Sequence, residues 1–81
     1  MISASQIRAA RSLLGWSGRN LSEYSGVGIT TLRRYETQDG VPNANNSVLS
    51  SIKSCFEDHG IEFTGDPLVN PGVTLHISKD V

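Results

Sequence analysis

Residues 17–36 restrict the fold of this chain more than any other segment. Their apolar residues recur at helical spacing on both sides of Gly26, and glycine favours the tight turn that ends a helix. The pattern predicts two short helices joined by that turn, with Ser17 capping the first and Gly28 capping the second. The side chains predicted to point inwards from the first helix and its turn are Leu21, Tyr24 and Val27.

The second of these helices, residues 29–36, is predicted to have two different faces. Leu32 and Glu36 share the inner face, whereas the outer face carries the polar residues Thr30, Thr31, Arg33 and Arg34. A helix that packs on one side and offers polar groups on the other has the geometry that enters a DNA major groove. The segment therefore predicts a helix-turn-helix that binds double-stranded DNA.

The amino-terminal residues predict a first helix. Ser3 and Gln6 fit a capping box, so the helix is expected to run from Ala4 to Leu14 and to end at Gly15. Its apolar stripe consists of Ile7, Ala10 and Leu14. Trp16, directly after the helix, is expected to fill the core.

Arg11 falls within this apolar stripe, where an unpaired charge would be prohibitively costly. Glu36 lies one turn after Leu32 on the inner face of the third helix and is the natural partner. We predict an internal ion pair between Arg11 and Glu36 that joins helices one and three. The alternative is that both residues lie at the solvent edge.

Residues 37–46 predict a loop, and a fourth helix capped near Asn46 or Ser47 is expected to stop at Gly60. Its apolar side consists of Val48, Leu49, Ile52, Cys55 and Phe56. Residues 61–78 then alternate with the period of a β-hairpin. The apolar face of that hairpin consists of Ile61, Phe63, Val73, Leu75 and Ile77. A lone hairpin is marginally stable, so this face is expected to pack on helix four or to meet its twin in a dimer. We predict that the hairpin is the dimerisation element and that these five residues make its contacts, with helix four as the alternative interface.

The size and charge of the chain fit a small DNA-binding dimer. At 81 residues it is one small domain, which association would stabilise. The net charge is -1, but residues 1–36 carry +3 and residues 37–81 carry -4, so one half can face a polyanion. A single cysteine, no signal segment and no long apolar span predict a cytoplasmic protein without a membrane anchor, associated with the nucleoid through DNA.

Metal and enzyme functions find little support in the sequence. Cys55 and His59 are one helical turn apart and His76 could add a third ligand, but metal sites usually have more ligands in tighter groups. Nucleophile–base motifs and glycine-rich phosphate loops are absent from the sequence. We expect no metal, no cofactor and no catalysis.

The sequence resembles the phage-repressor and Cro-like helix-turn-helix proteins, also called the XRE family, over roughly residues 3–60. The most specific segments are Ile7–Arg11, Leu14–Ser17, Ser25–Val27 and Thr31–Glu36. Residues 60–63 and 72–75 are similar to a small bacterial subgroup with a carboxy-terminal hairpin. The resemblance implies a mainly α protein: a four-helix repressor-like DNA-binding domain over residues 1–60, then a hairpin within residues 61–81. It also implies transcriptional control, as a repressor or autoregulator, by a homodimer on a palindromic operator.

The resemblance further implies roles for individual residues. The positions that match the family's groove-facing sites are Ile29, Thr30 and Arg34. The positions that match its backbone contacts are Ser17, Gly18 and Arg33. Arg11 and Glu36 match its internal ion pair.

Two departures from the family pattern affect the expected phosphate contacts. Gly18 stands where the family usually has glutamine, and the loop after helix three carries amides where relatives are often basic. Arg8 and Arg19 are therefore expected to supply more of the contact with the DNA backbone. The alternative function is an antitoxin or another protein-interaction module, in which the acidic half contacts a protein partner.

Overall fold

A computed structural model describes residues 1–77 of the chain. The four helices are α1 (Ala4–Leu14), α2 (Gly18–Ser25), α3 (Ile29–Glu36) and α4 (Asn46–Asp58). They are followed by an antiparallel hairpin of β1 (Ile61–Thr64) and β2 (Gly72–Leu75). The predicted set of four helices and a carboxy-terminal hairpin is confirmed. None of the helices in the described part of the chain is long and apolar enough to cross a membrane.

Local signals at both ends set the bounds of α1. The Ser3 hydroxyl accepts a hydrogen bond from the Gln6 amide at 3.2 Å, and the Ser3 amide donates to Gln6 Oε1 at 3.0 Å. Gly15 ends the helix in the left-handed region at φ 68°. Ile2, just before the cap, is fully buried together with Ile7, the spacing of a hydrophobic staple. Ile2 is a core residue that the apolar stripe alone does not reveal.

The turn between α2 and α3 forms at Gly26, which adopts φ 76°. The Ser22 hydroxyl donates to the Val27 carbonyl at 2.7 Å and braces this turn. Leu21 is fully buried below it. The turn holds α3 across α2, which leaves the outer side of α3 free.

The predicted inward position of Tyr24 is wrong. Its side chain is 59% exposed, because the last turn of α2 passes the edge of the core. The Tyr24 ring instead stacks on Trp16, with 4.6 Å between ring centroids, and Trp16 stacks in turn on Phe56 at 5.8 Å. Trp16 is therefore only half-buried and covers the edge of the core.

The hydrophobic core lies between the helices and the inner face of the hairpin. Its large, fully buried side chains are Ile2, Ile7, Leu21, Leu32, Ile52 and Phe56. Burial of each such side chain stabilises the fold by roughly 1.5–3 kcal/mol.

The cap of α4 differs from the prediction by one residue or more: it is Asn45, whose Oδ1 accepts from the Ser47 amide at 2.9 Å.

The second strand is shorter than the sequence pattern predicts. Ile61 pairs with Leu75, and the His76 amide donates to the Gly60 carbonyl at 2.8 Å just beyond that pair. Gly60 adopts φ 93° and turns the chain away, so β2 has no partner further along. Ile77 therefore lies outside the strand and is 71% exposed, and Ser78 lies outside the described residues.

The inner face of the hairpin is covered by the same chain. Ile61 is buried, and Phe63, Val73 and Leu75 are half-buried against the core. The Phe63 ring meets Phe56 edge-on at 6.0 Å. Four of the five side chains predicted for dimer contacts thus pack within one chain, so this face as a whole does not remain free for a second copy.

Gln6 connects α1 to the hairpin. Its Nε2 donates to the carbonyls of Thr64 and Gly72, at 3.3 and 3.0 Å, and its side chain is buried. Because Gln6→Ala leaves these carbonyls without that donor, we expect it to lower the free energy of unfolding by about 1–2 kcal/mol. Urea denaturation measures the loss. Gln38→Ala, which removes an exposed loop hydrogen bond to Asn43, is the control; an equal loss in both variants would contradict the role of Gln6.

Candidate nucleic-acid interface

Arg11 and Glu36 form an ion pair between α1 and α3. Arg11 Nη2 lies 2.8 Å from Glu36 Oε1, and Nε lies 3.1 Å from both carboxylate oxygens. Arg11 Nη1 also donates to the Trp16 carbonyl at 3.0 Å. The side chains are 26% and 10% exposed, so the pair is largely shielded from solvent. It fixes the orientation of α3 relative to α1.

Arg8 lies near the carboxy-terminal end of α3. Its Nη1 donates to the main-chain carbonyl of Glu36, one of the last carbonyls of that helix. A cation is favourable there because the carbonyl end of a helix carries partial negative charge. Arg8 is otherwise exposed, so its remaining donors face solvent.

These arginines border a surface depression of about 400 Å³, which we call the arginine depression. Its lining residues are Arg8, Arg11, Gly18, Arg33, Glu36 and Thr37. Glu36 is paired with Arg11, so among residues 1–77 no other carboxylate in the depression pairs with Arg8 or Arg33. Guanidinium groups in such a position bind phosphate oxygens well.

The start of α2 also borders the arginine depression. Gly18 is the first residue of the helix, and no atom from outside the helix's own first turn and the adjoining residues lies within 4 Å of the position that a β-carbon would occupy. The Ser17 hydroxyl accepts from the Asn20 amide at 3.1 Å, so its own proton remains available to an anion. Arg19 is exposed beside them. Amide groups and positive side chains thus meet at one helix start, an arrangement that favours anions.

The outer face of α3 presents polar side chains beside this depression. Thr30, Arg33 and Arg34 are exposed, whereas Ile29 is half-buried and offers only part of its side chain. The Arg34 guanidinium carbon lies 5.9 Å from the centroid of the Tyr35 ring, a contact that limits where its side chain extends. Arg33 belongs both to this face and to the arginine depression.

Two features of the interface have no clear signal in the sequence. The contact of Arg8 with the Glu36 carbonyl requires the positions of both α1 and α3. Thr37, which caps α3 and donates from its hydroxyl to the Arg34 carbonyl at 3.0 Å, falls in the segment that the sequence predicts as a loop. Threonine hydroxyls often bond to a carbonyl three or four residues earlier, which is the local pattern that accounts for this contact.

The three residues considered as metal ligands serve other contacts. Burial, assisted by the nearby charge of Asp58, raises the pKa of the Cys55 thiol. His59 Nδ1 lies 2.8 Å from the Cys55 carbonyl, and the His59 ring meets Trp16 edge-on at 4.7 Å. His76 pairs with Glu62 on the outer face of the hairpin. Within residues 1–77 no group of three such side chains is arranged to hold a metal ion.

In comparisons with known proteins, no family model matches this chain and no curated protein matches it. The arginine depression and the outer face of α3 are therefore the basis of the functional proposal.

Proposed function

We propose that this protein is a sequence-specific double-stranded DNA-binding transcriptional regulator. In this proposal α2 and α3 are a helix-turn-helix, and the protein represses transcription, or regulates its own gene, as a homodimer on a palindromic operator. The observation that carries the proposal is the continuity of two surfaces through Arg33, which lies on the outer face of α3 and in the arginine depression. Groups suited to phosphates and groups suited to base edges thus adjoin.

The phosphate contacts are assigned to two sets of groups. Arg8 and Arg33 supply guanidinium groups from the arginine depression. Ser17, Gly18 and Arg19 supply the start of α2, where main-chain amides favour a phosphate. Such contacts position a protein on the duplex without reading its sequence.

The base contacts are assigned to α3. Arg34 is long enough to donate two hydrogen bonds to a guanine edge, and the Thr30 hydroxyl can bond to any base. The exposed part of Ile29 is suited to the methyl group of thymine. On the opposite face of α3, Leu32 and Glu36 are buried against the rest of the fold, so the helix can offer only this side to DNA.

Arg8→Ala and Arg19→Ala are expected to weaken binding to every DNA sequence alike. Each removes about one phosphate contact, so the slope of log affinity against log salt should become shallower by about one. Fluorescence anisotropy across a salt series measures this slope. Lys53→Ala is the control, because Lys53 lies on α4 and pairs with Glu57. If the slope is unchanged in both arginine variants, Arg8 and Arg19 do not contact DNA phosphates.

A second candidate function is an antitoxin or other protein-interaction module. It is favoured by the acidic carboxy-terminal half and by Leu68 and Val69, which are exposed in the loop of the hairpin. Selection of bound sites from random duplex DNA separates the two candidates. The regulator should enrich one palindromic site, whereas the interaction module should enrich none and should co-purify with the product of a neighbouring gene.

A further inference from the structure

An uncharged groove lies between α1 and the second strand of the hairpin. Its volume is about 310 Å³, and its lining residues are Ser5, Gln6, Ala9, Pro71 and Val73. Ala9 and Pro71 are exposed, although both are apolar. We call this surface the α1–β2 groove.

The strand β2 packs beside α1 and runs towards the carboxy-terminal end of the helix. Gly72, at the start of the strand, accepts from Gln6 near the start of α1. At the other end, His76 bonds to Gly60, and the neighbouring His59 ring packs on Trp16, just after α1. The α1–β2 groove is therefore flanked along its length by one face of α1 and by β2.

Exposed apolar side chains extend this groove. Leu13 lies one turn beyond Ala9 on α1 and is 46% exposed, and Ile77 follows β2 at the same end of the helix. Of the six large exposed apolar side chains in residues 1–77, Leu13 and Ile77 lie towards this end of α1. Exposed apolar side chains that adjoin an uncharged groove are typical of an interaction site.

We infer that the α1–β2 groove binds a second copy of this chain across a two-fold axis. This inference rests on the proposed function, which includes a homodimer, and it identifies the surface through which the two copies bind each other. At a two-fold axis a surface meets itself, so a charged surface would place like charges opposite each other. The groove lining carries no charge, whereas the outer face of the hairpin carries Glu62 and the arginine depression carries several cations.

The same geometry keeps the second copy away from DNA. Consecutive residues of a helix are separated by about 100°, so Ala9 projects roughly a quarter of a turn from Arg8. A dimer formed through Ala9 therefore leaves the arginine depression open in both copies. Two of the five hairpin residues expected from the sequence, Val73 and Ile77, belong to this interface. The other three pack against the core, and Ala9 of α1 takes their place.

Sedimentation equilibrium of the full chain over a concentration series tests this interface. Ala9→Glu places two carboxylates near the two-fold axis and is expected to weaken the dimer roughly 100-fold. Ile77→Lys should weaken it in the same direction, and it lies outside the strand, where it cannot disturb the hairpin ladder. Ser50→Glu, on the exposed side of α4, is the matched control and should dimerise like the wild type.

Three results would overturn the inference. They are a wild-type protein that stays monomeric throughout the series, Ala9→Glu and Ile77→Lys variants that dimerise as tightly as the wild type, and an equal loss in Ser50→Glu. Circular dichroism of each variant confirms that its helices are intact. If the protein dimerises through the groove but binds no DNA, the dimer interface is supported and only the proposed DNA-binding function is rejected.

Discussion

Glu36→Ala is expected to lower the free energy of unfolding by about 3 kcal/mol, a large share of the stability of a small domain. The substitution leaves the Arg11 guanidinium largely shielded from solvent with only the Trp16 carbonyl as its partner. The expected loss is at the lower end of the range for buried pairs because Arg11 retains that bond and some solvent contact. Thermal unfolding should show a melting temperature lower by more than about 10 °C.

Glu57→Ala is the matched control for this experiment. Glu57 pairs with Lys53 at 3.4 Å on the surface of α4, where both side chains are well exposed. Exposed pairs of this kind contribute at most about 0.5 kcal/mol, so the control should unfold close to the wild type. Similar melting temperatures for Glu36→Ala and Glu57→Ala would show that the Arg11–Glu36 pair does not hold α3 to α1.

Arg34→Ala is expected to reduce affinity for the selected operator about 30-fold and affinity for random duplex much less. A guanidinium that donates two hydrogen bonds to guanine contributes roughly 1–3 kcal/mol of discrimination, and alanine removes both donors. Arg34 is exposed and lies on the side of α3 away from Leu32, so the fold should be unaffected. Titrations of both duplexes at one salt concentration measure the change in their affinity ratio.

Arg34→Lys separates geometry from charge in this experiment. Lysine keeps the positive charge but loses the planar pair of donors, so it should restore binding to random DNA and only part of the preference. Arg19→Ala should lower both affinities together because its assigned partner is a phosphate. A wild-type affinity ratio in Arg34→Ala would remove Arg34 from the base-reading set.

The helix bounds followed from the sequence where a single residue determines the local backbone. Ser3 with Gln6 fixed the start of α1, and Gly15 fixed its end through the left-handed conformation that few other residues adopt. The turn at Gly26 was predictable for the same reason. These signals act within a few residues, so they require no knowledge of the tertiary structure.

Features that depend on contacts between distant residues were less predictable. Tyr24 has the helical spacing of an inward residue, but the core ends before it and its ring covers Trp16 instead. The sequence left open whether the hairpin face packs on helix four or meets a second copy, and in the structure α1 and α4 cover it. Gln6 could be identified as a capping residue, whereas its bonds to the hairpin join residues far apart in sequence.

The residues of the candidate site were likewise predictable only in part. The cost of an unpaired buried charge was sufficient to pair Arg11 with Glu36 from the sequence alone, because the apolar stripes placed both residues inwards. The arginine depression was not predictable as a unit. It forms only where α1, the start of α2 and the end of α3 meet, and the contact of Arg8 with the Glu36 carbonyl depends on that meeting.

The affinity of the wild-type protein for its selected palindromic duplex, compared with a random duplex of equal length over a salt series, tests the proposed function most directly. A sequence-specific regulator should prefer the selected duplex by at least about 1,000-fold, and both affinities should fall steeply as salt rises. Equal affinity for the two duplexes, or no salt-sensitive binding to either, would contradict the assignment of α3 as a helix that reads DNA.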